Sequence, residues 1–365
     1  MGGIVGGIIL IKFFQGNCID KIKELEDNYI DCVVSSPPYY GLRDYGTASY
    51  DGGDPDCKHS ITDGIVDNKN NKLIERPDRA SDKKNCVKCG AKRIDEQFGL
   101  EKTYQDYLAN TVKVFATFRP KLKDTATIWW NVGDSYSSGL RTSTTNQSLR
   151  GGKDYGVTRT PVQNGIKEKD LLMIPNRVAI ALQESGWYIR SEIIWHKPNP
   201  MPESIKDRPT SAHEKIWLIT KNKKYYYDSD AIKEPVKEIS KKRVQYGLKH
   251  KHPNNIGVAI PPVNTEKMGE RFCNSDGKRN KRNVWTVTTK PCKEAHFATF
   301  PKDLIEPCIK AGCPEGGVVL DPFGGAGTTG IVAQSLNRQA ILIELNPEYI
   351  EISKNRIDKE FGMFK

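Results

Sequence analysis

The chain has 365 residues, of which 37% are hydrophobic and 28% charged, and its formal net charge is +11. This composition excludes collagen-like, disordered and very small disulfide-stapled proteins, and the length allows one large domain or two modest ones. The longest apolar run, residues 4–10, contains two glycines and is far shorter than the ~20 residues that span a bilayer. We therefore expect no membrane segment and a cytoplasmic protein, whose basic charge favours a polyanionic partner.

Apolar runs and amphipathic segments alternate along the chain and predict a mainly parallel α/β sheet with helices on both faces. The predicted strands are 31–36, 126–133, 188–196, 214–221, 317–320 and 340–345. The predicted helices include 104–118, 175–184, 328–336 and 347–359. Three polar segments break the alternation and are interpreted as insertions on the rim of the sheet: 47–95, 135–164 and 233–290.

The first of these predicted strands runs into the tetrad Ser36-Pro37-Pro38-Tyr39. The two prolines fix an extended turn and lack an N–H, so their carbonyls face whatever lies above the strand end. A planar aromatic amine could donate to the Ser36 hydroxyl and the Pro37 carbonyl, which would turn its nitrogen lone pair towards a methyl donor. The Tyr39 ring would stack on the heterocycle. Taken alone, the tetrad is equally compatible with a plain loop.

A cluster of potential metal ligands lies in the first polar insertion. Cys57-x-His59 and Cys86-x-x-Cys89 are separated by 26 residues, and the nine cysteines of the chain form no disulfide-like framework. Three thiolates and one imidazole make a closed tetrahedral zinc set with no position left for water, so we predict a structural zinc ion. The alternative is four unrelated residues.

A glycine-rich turn, LDPFGGAGTTG at residues 320–330, follows a predicted strand and opens a predicted helix. Pro322 is incompatible with a GxGxxG motif, and no Gly-Lys-Ser/Thr follows, so the turn is not built for a pyrophosphate. Glu344 ends the next strand and could accept hydrogen bonds from both hydroxyls of a ribose. We expect S-adenosyl-L-methionine here, the alternative being a packing turn, and assign to the cofactor Asp321, Phe323, Gly324, Gly325, Gly327, Thr328, Glu344 and Asn346.

These two motifs, with the segments WNVGDSY (130–136), WHKPNPMP (195–202) and HFATFP (296–301), resemble the signatures of the DNA amino-methyltransferases. The catalytic motif precedes the cofactor motif, as in the beta class of that family. The resemblance covers about residues 14–357. It implies a Rossmann-like class I methyltransferase fold with seven strands, of which the antiparallel one is 214–221. It also implies cofactor contacts for Phe297 and Thr299, and for Asn17 in place of the usual acid.

The resemblance further implies that double-stranded DNA is the substrate and that the target base is extruded into the site. A serine at the head of the tetrad favours cytosine N4, and adenine N6 is the alternative. Residues 14–232 would form the catalytic half, 233–290 a target-recognition region and 291–361 the cofactor half. Lysines and arginines in 233–290, and a loop at 141–150, would contact DNA, although a solvated charged face is the default interpretation of such runs.

Two rival interpretations remain open. RNA and protein-glutamine methyltransferases also use a Pro-Pro-Tyr corner, but they typically place the cofactor turn before it. A non-catalytic DNA-binding protein with a methyltransferase-like fold would not need both motifs intact. Relatives of the beta class are often dimers, and a cognate restriction endonuclease, a phage-encoded protective role and a solitary role are all compatible with the sequence.

Overall fold

The fold is taken from a computed structural model that describes residues 10–42, 45, 47–59, 65–67, 72–74, 85–137, 165–236, 278–290 and 299–362. The strands are β1 Ile11–Gln15, β2 Ile30–Ser35, β3 Ser49–Asp51, β4 Ile65–Asp67, β5 Lys72–Ile74, β6 Lys92–Ile94, β7 Leu122–Val132, β8 Tyr188–His196, β9 His213–Thr220, β10 Glu234–Pro235, β11 Lys278–Arg279, β12 Val284–Thr286, β13 Val318–Asp321 and β14 Gln339–Glu344. The helices are α1 Cys18–Lys23, α2 Tyr104–Phe118, α3 Ile174–Glu184, α4 Lys302–Gly312, α5 Thr328–Ser335 and α6 Pro347–Phe361, with a short 3-10 turn at Asp230–Ile232.

One large sheet organises the molecule, with the strand order β1-β14-β13-β2-β7-β9-β8-β12. Every pairing in it is parallel except those of β9, which runs antiparallel to both β7 and β8. The predicted mainly parallel sheet with one antiparallel strand is therefore confirmed, and the short β12 extends it by one strand beyond the expected seven. Two-stranded ribbons pair β3 with β6, β4 with β5 and β10 with β11 outside this sheet.

Helices cover both faces of the sheet, because its central strands alternate apolar side chains to each side. Trp130 on β7 packs into a buried cluster with residues of α2 and α3, whereas its neighbour Trp129 packs with residues of α4 and α5. Val33 and Val34 of β2 divide between the same two clusters. Burial of each such large apolar side chain stabilises the fold by about 1.5–3 kcal/mol.

Sequence patterns located most elements but missed several. The strand β7 begins at Leu122 rather than 126, because Lys123 and Asp124 conceal its start. Helix α4 was not predicted, and Pro307 lies inside it. Strand β1 and helix α1 were also missed, since β1 mixes polar and apolar residues and α1 is a short helix that buries only Ile22. Within the described residues, no helix is long and apolar enough to cross a membrane.

Candidate active site

The candidate site lies at one edge of the sheet, where the carboxyl ends of the parallel strands meet. Asn17 follows β1, Glu344 ends β14, Asp321 ends β13 and Ser36 follows β2. These strands are direct neighbours in the order β1-β14-β13-β2, so the predicted cofactor and catalytic residues lie side by side. Ligands of α/β sheets bind at such an edge.

The catalytic corner, defined as Ser36–Tyr39, turns away from β2 over the sheet edge. The Ser36 hydroxyl donates to the Tyr39 hydroxyl across 3.1 Å. The carbonyl of Pro38 accepts from the Tyr107 hydroxyl at 3.3 Å. The Pro38 carbonyl is thus hydrogen-bonded to the protein, whereas the Pro37 carbonyl has no protein donor in the described part of the chain.

The Tyr39 ring is held by a close approach of the backbone. A Cβ atom on Gly133 would lie 2.5 Å from Tyr39 Cε2, so only glycine allows the ring to pack there. The Tyr39 hydroxyl donates to Glu214 Oε2 across 2.7 Å. Burial raises the pKa of Tyr39 well above its usual value, and the negative charge of Glu214 raises it further. The hydroxyl therefore stays protonated and remains a donor.

Glu214 is the centre of a polar network that sequence reasoning did not find. Its Oε2 atom also accepts from Asn131 Nδ2 at 3.2 Å, and its Oε1 atom accepts from the Lys197 ammonium. The glutamate and lysine side chains are only 16% and 18% exposed. Sequence reasoning looked for polar residues at the carboxyl ends of strands, whereas Glu214 lies near the amino end of the antiparallel β9. The signal was present, because an antiparallel strand brings its amino end to the same edge.

Asp321 connects the two motifs that were identified separately in the sequence. Its Oδ1 atom accepts from Ser35 Oγ and its Oδ2 atom from Thr329 Oγ1, both at 2.6 Å, and the backbone N–H of Phe323 also donates to it. The residue is 1% exposed, and this burial raises the pKa of Asp321 to about 6. Asp321 therefore ties the residue before Ser36 to the first turn of α5, and its predicted contact with the cofactor stays a prediction.

The glycine-rich turn has left-handed backbone at two glycines, and at one of them a neighbouring side chain leaves no room for a Cβ atom. Gly327 has a φ of +76°, and a Cβ atom there would lie 1.9 Å from Ser353 Oγ on α6. Gly325 has a φ of +48°, and its N–H donates to Glu344 Oε2 at 2.8 Å. The other assigned residues of this turn are a half-buried Phe323, Gly324 packed on β14, and a buried Thr328 at the start of α5.

The remaining assigned cofactor residues that the structure describes lie near the end of β14 or just before α4. Asn346 caps α6, and its N–H donates to Glu344 Oε1 at 2.9 Å. Asn17 caps α1 through its Oδ1 atom, and the N–H of Gly16 donates to the carbonyl of Glu344. Thr299 is half-buried just before α4, and Phe297 lies outside the described residues.

This edge fits S-adenosyl-L-methionine in the chemistry of its donors and acceptors. The carboxylate of Glu344 takes one backbone N–H on each oxygen, which leaves lone pairs for two ribose hydroxyls. Burial raises the pKa of Glu344, while the two N–H donors lower it. The turn at Gly325 exposes backbone rather than side chain, as a ligand that must approach closely requires.

The predicted metal ligands also come together. Cys57, His59, Cys86 and Cys89 place one ligand atom each within 4.8 Å of all the others, and they form the one such His/Cys/Asp/Glu group found in the described part of the chain. The predicted target-recognition region lies mostly outside the described residues. Its visible ends, 233–236 and 278–290, carry Arg279 and Arg282, which both pair with Glu234.

A protein-family profile identifies the kind of protein that carries this sheet edge. The profile of the family described as DNA methylase, with N6 and N4 amino groups as targets, matches residues 30–355. The chain belongs to this family. As a DNA amino-methyltransferase it has the two motifs in the order expected of the beta class, and the predicted fold and family are confirmed.

Individual relatives of this DNA amino-methyltransferase are similar over almost their whole length. The Type II methyltransferase M.Cfr9I of Citrobacter freundii is 38% identical, over 95% of this chain and 87% of its own. M.SmaI of Serratia marcescens, also a Type II methyltransferase, is 37% identical over 95% and 90% of the two chains.

Among solved structures, the cytosine-N4-specific PvuII DNA methyltransferase has a TM-score of 0.54 and 16% identity, over 95% of this chain and 86% of its own. TTHA0409 of Thermus thermophilus, solved with S-adenosyl-L-methionine, has a TM-score of 0.52 and 17% identity, over 97% and 96%. At these sequence identities, the two comparisons show only that the fold of this chain is similar to the folds of those proteins.

Proposed function

We propose that this DNA amino-methyltransferase transfers a methyl group from S-adenosyl-L-methionine to N4 of cytosine in duplex DNA. The observation that carries the proposal is the direction of the hydrogen bonds at the corner. Ser36 donates to Tyr39, and Tyr39 donates to Glu214, so the lone pairs of Ser36 Oγ face outward as acceptors. A neutral exocyclic amine is the group that such an acceptor, next to the free carbonyl of Pro37, would hold.

Holding the amine in this way prepares its nitrogen for reaction. Two N–H groups that donate to Ser36 Oγ and to the Pro37 carbonyl pull the nitrogen out of conjugation with the ring, which turns its lone pair towards the cofactor side of the edge. The cofactor supplies an electrophilic methyl group on a sulfonium. The nitrogen held by Ser36 and Pro37 would take this methyl group as its carbon–sulfur bond breaks, the demethylated thioether would leave, and the extra proton of the amine would pass to water. Positioning and exclusion of water supply most of the rate.

The choice of cytosine rests on the serine at the head of the tetrad, which is the common pattern for N4 targets in the family. The PvuII methyltransferase, whose fold is similar, is named as cytosine-N4-specific. Adenine N6 remains the second candidate, because the same acceptors suit its amine.

Methylation of duplex DNA requires that the target base leave the helix, since the amine is inaccessible to the corner in a stacked duplex. We assign residues 14–232 to the catalytic half, 233–290 to recognition of the target sequence and 291–361 to the cofactor half. Lys278 and Lys281 add positive charge to the described end of the recognition region. M.SmaI is named as a Type II methyltransferase, and we propose that this protein acts in the cytoplasm beside a restriction endonuclease, a phage-encoded or solitary role being the alternative. A homodimer is the assembly that we expect.

Mass spectrometry of nucleosides tests the proposal directly. Unmethylated plasmid is incubated with the purified protein and S-adenosyl-L-methionine, and then hydrolysed. We expect N4-methylcytosine from the wild type, none from Ser36→Ala, and a normal yield from the exposed control Ser185→Ala. N6-methyladenine would overturn the choice of base and keep the mechanism. The absence of both methylated nucleosides, in a protein shown to bind the cofactor, would overturn DNA as the substrate and favour RNA or protein.

A further inference from the structure

The insertion that carries the Cys/His cluster has almost no hydrophobic core in its described part. The ribbon of β3 and β6 alternates exposed and half-buried side chains. Between Thr47 and Ile94, the described residues that are buried are Cys86 and Ala91, and neither belongs to the two core clusters of the sheet. Apolar burial therefore contributes little to holding residues 57–59 against residues 86–89.

The four ligand atoms have the spacing of a tetrahedral metal site. Cys57 Sγ lies 3.9 Å from Cys86 Sγ, and Cys89 Sγ lies 3.3 Å from His59 Nδ1. Sulfur at about 2.3 Å and nitrogen at about 2.0–2.1 Å from one zinc ion lie about 3.5–3.8 Å apart at tetrahedral angles. Three sulfur atoms and one imidazole select Zn²⁺ over Mg²⁺ or Ca²⁺, which prefer oxygen.

The backbone around the cluster is shaped for these ligands. Gly90 has a φ of +76°, and its N–H donates to the carbonyl of Cys86, so the chain turns back immediately after Cys89. A Cβ atom on Gly53 would lie 2.8 Å from Cys89 Sγ, so the turn after β3 must be glycine to pass the thiol. The His59 ring stacks on Tyr50 of β3 with a centroid distance of 4.3 Å.

The segment that follows β6 leads from this cluster directly to the catalytic corner. We define residues 95–99 as the bracing segment. The N–H of Gly41 donates to the carbonyl of Gly99 at 2.9 Å. A Cβ atom on Gly99 would lie 3.0 Å from the carbonyl oxygen of Tyr39 and 3.1 Å from that of Pro38. The bracing segment is therefore in direct contact with the corner.

The bracing segment also reaches the cofactor turn and the chain just after the corner. The Phe98 ring packs on Phe323, with centroids 5.2 Å apart, and on Tyr107, with centroids 4.8 Å apart. The side chain of Gln97 accepts from the N–H of Tyr45 at 2.6 Å. The segment thus bridges the tetrad and the glycine-rich turn.

We propose that Cys57, His59, Cys86 and Cys89 bind one structural Zn²⁺ ion that, through β6, holds the bracing segment against the catalytic corner. The effect on catalysis rests on the proposed function, whereas the binding of zinc does not. Loss of the ion would loosen the support of Pro38 and Tyr39 without removing any group that touches substrate. The four ligands are thus positioning residues.

Metal analysis of the full-length protein tests the first half. We expect one zinc per chain in the wild type and in the exposed control Val87→Ser, and less than a tenth of that in Cys86→Ser and Cys89→Ser. Reloading chelator-treated wild type with Co²⁺ should give the intense visible absorption of tetrahedral thiolate coordination. A wild type that holds no zinc as purified and takes up none when Zn²⁺ is added, or a Cys86→Ser variant with full zinc content, would overturn the site.

Steady-state kinetics test the second half. For chelator-treated wild type we expect kcat to fall about tenfold or more, affinity for S-adenosyl-L-methionine to change less than about threefold, and Zn²⁺ to restore both. Using the intact wild type avoids variants that fail to fold. Unchanged kcat in verified zinc-free protein would overturn the bracing role. A zinc-loaded wild type that binds cofactor and methylates no DNA would contradict the proposed function instead and leave the metal site standing.

Discussion

At the scale of single residues, the chain of hydrogen bonds from Ser36 through Tyr39 to Glu214 has a consequence for the rate of methyl transfer. Replacing Glu214 with Gln removes the negative charge that orients the Tyr39 hydroxyl. The Tyr39 oxygen is then no longer held in position to accept the hydrogen bond from Ser36. We expect kcat to fall about 10–100-fold with little change in cofactor affinity, because a small misplacement of a positioned group is costly. The exposed Glu315→Gln is the matched control.

A double-mutant cycle separates this role from simple loss of folding. Tyr39→Phe keeps the ring that we propose stacks on the base and removes only the hydroxyl. If Glu214 acts through that hydroxyl, the losses from Glu214→Gln and Tyr39→Phe will not add in the double variant. Fully additive losses would contradict the relay, as would an unchanged kcat in Glu214→Gln.

Asp321 should leave a signature in the pH dependence of stability. Burial raises the pKa of Asp321 from 3.8 to about 6, so the folded state holds its proton more tightly than the unfolded state does. The contribution of this residue is thus most favourable below pH 4 and is lost as the pH rises through 6, by at most about 3 kcal/mol. In Asp321→Asn this fall should vanish. Measured free energies of unfolding from pH 4 to 7 should therefore differ in slope between the two proteins, and parallel curves would exclude the shift.

At the scale of elements, the contact between the glycine-rich turn and α6 can be measured with two glycines of similar backbone conformation. Gly327 and Gly362 have φ values of +76° and +65°, but a Cβ atom meets Ser353 only at Gly327. We expect Gly362→Ala to cost about 1 kcal/mol of stability through backbone strain alone. Gly327→Ala should cost about 2–4 kcal/mol, because overpacking adds to the strain, and should weaken cofactor binding. If urea unfolding gave equal losses of unfolding free energy for the two variants, α6 would have to shift away from the added Cβ atom at no energetic cost.

The success of sequence reasoning also divides by element. Strand β8 and helix α2 matched their predicted bounds, because their apolar residues keep a clear period over nine or more residues. Both predicted motifs reached the same sheet edge, since parallel strands present their carboxyl ends together. The network of Glu214, Asn131 and Lys197 was missed, because it depends on the direction of β9 and on pairing between distant strands. The link from Ser35 to Asp321 was equally invisible along the chain.

At the scale of the whole molecule, the net charge of +11 makes DNA binding sensitive to salt. A protein that contacts 6–10 phosphates loses about 10³–10⁵-fold in DNA affinity when the salt concentration rises from 50 to 200 mM. We expect a steep log–log slope for the wild type, reduced by about 2–3 when Lys241, Lys242 and Arg243 are all replaced with Gln. Replacing Lys223 and Lys224, which follow β9 at the opposite edge of the sheet, should leave the slope unchanged. An equal slope in all three proteins, measured by fluorescence anisotropy, would exclude 233–290 as a DNA contact.

The order of the strands also determines how late in synthesis the sheet edge that forms the site can assemble. Ser35 and Asp321 are joined by a hydrogen bond although they lie 286 residues apart in the chain, so β2 acquires its neighbour β13 long after its own synthesis. Strand β1 pairs even later relative to its own synthesis, because its partner in the sheet is β14. Contacts of such long range are closed late and slowly. A nascent chain that lacks β13 and β14 therefore has the tetrad but no place for a methyl donor, and we expect no methylating activity before both strands have been made.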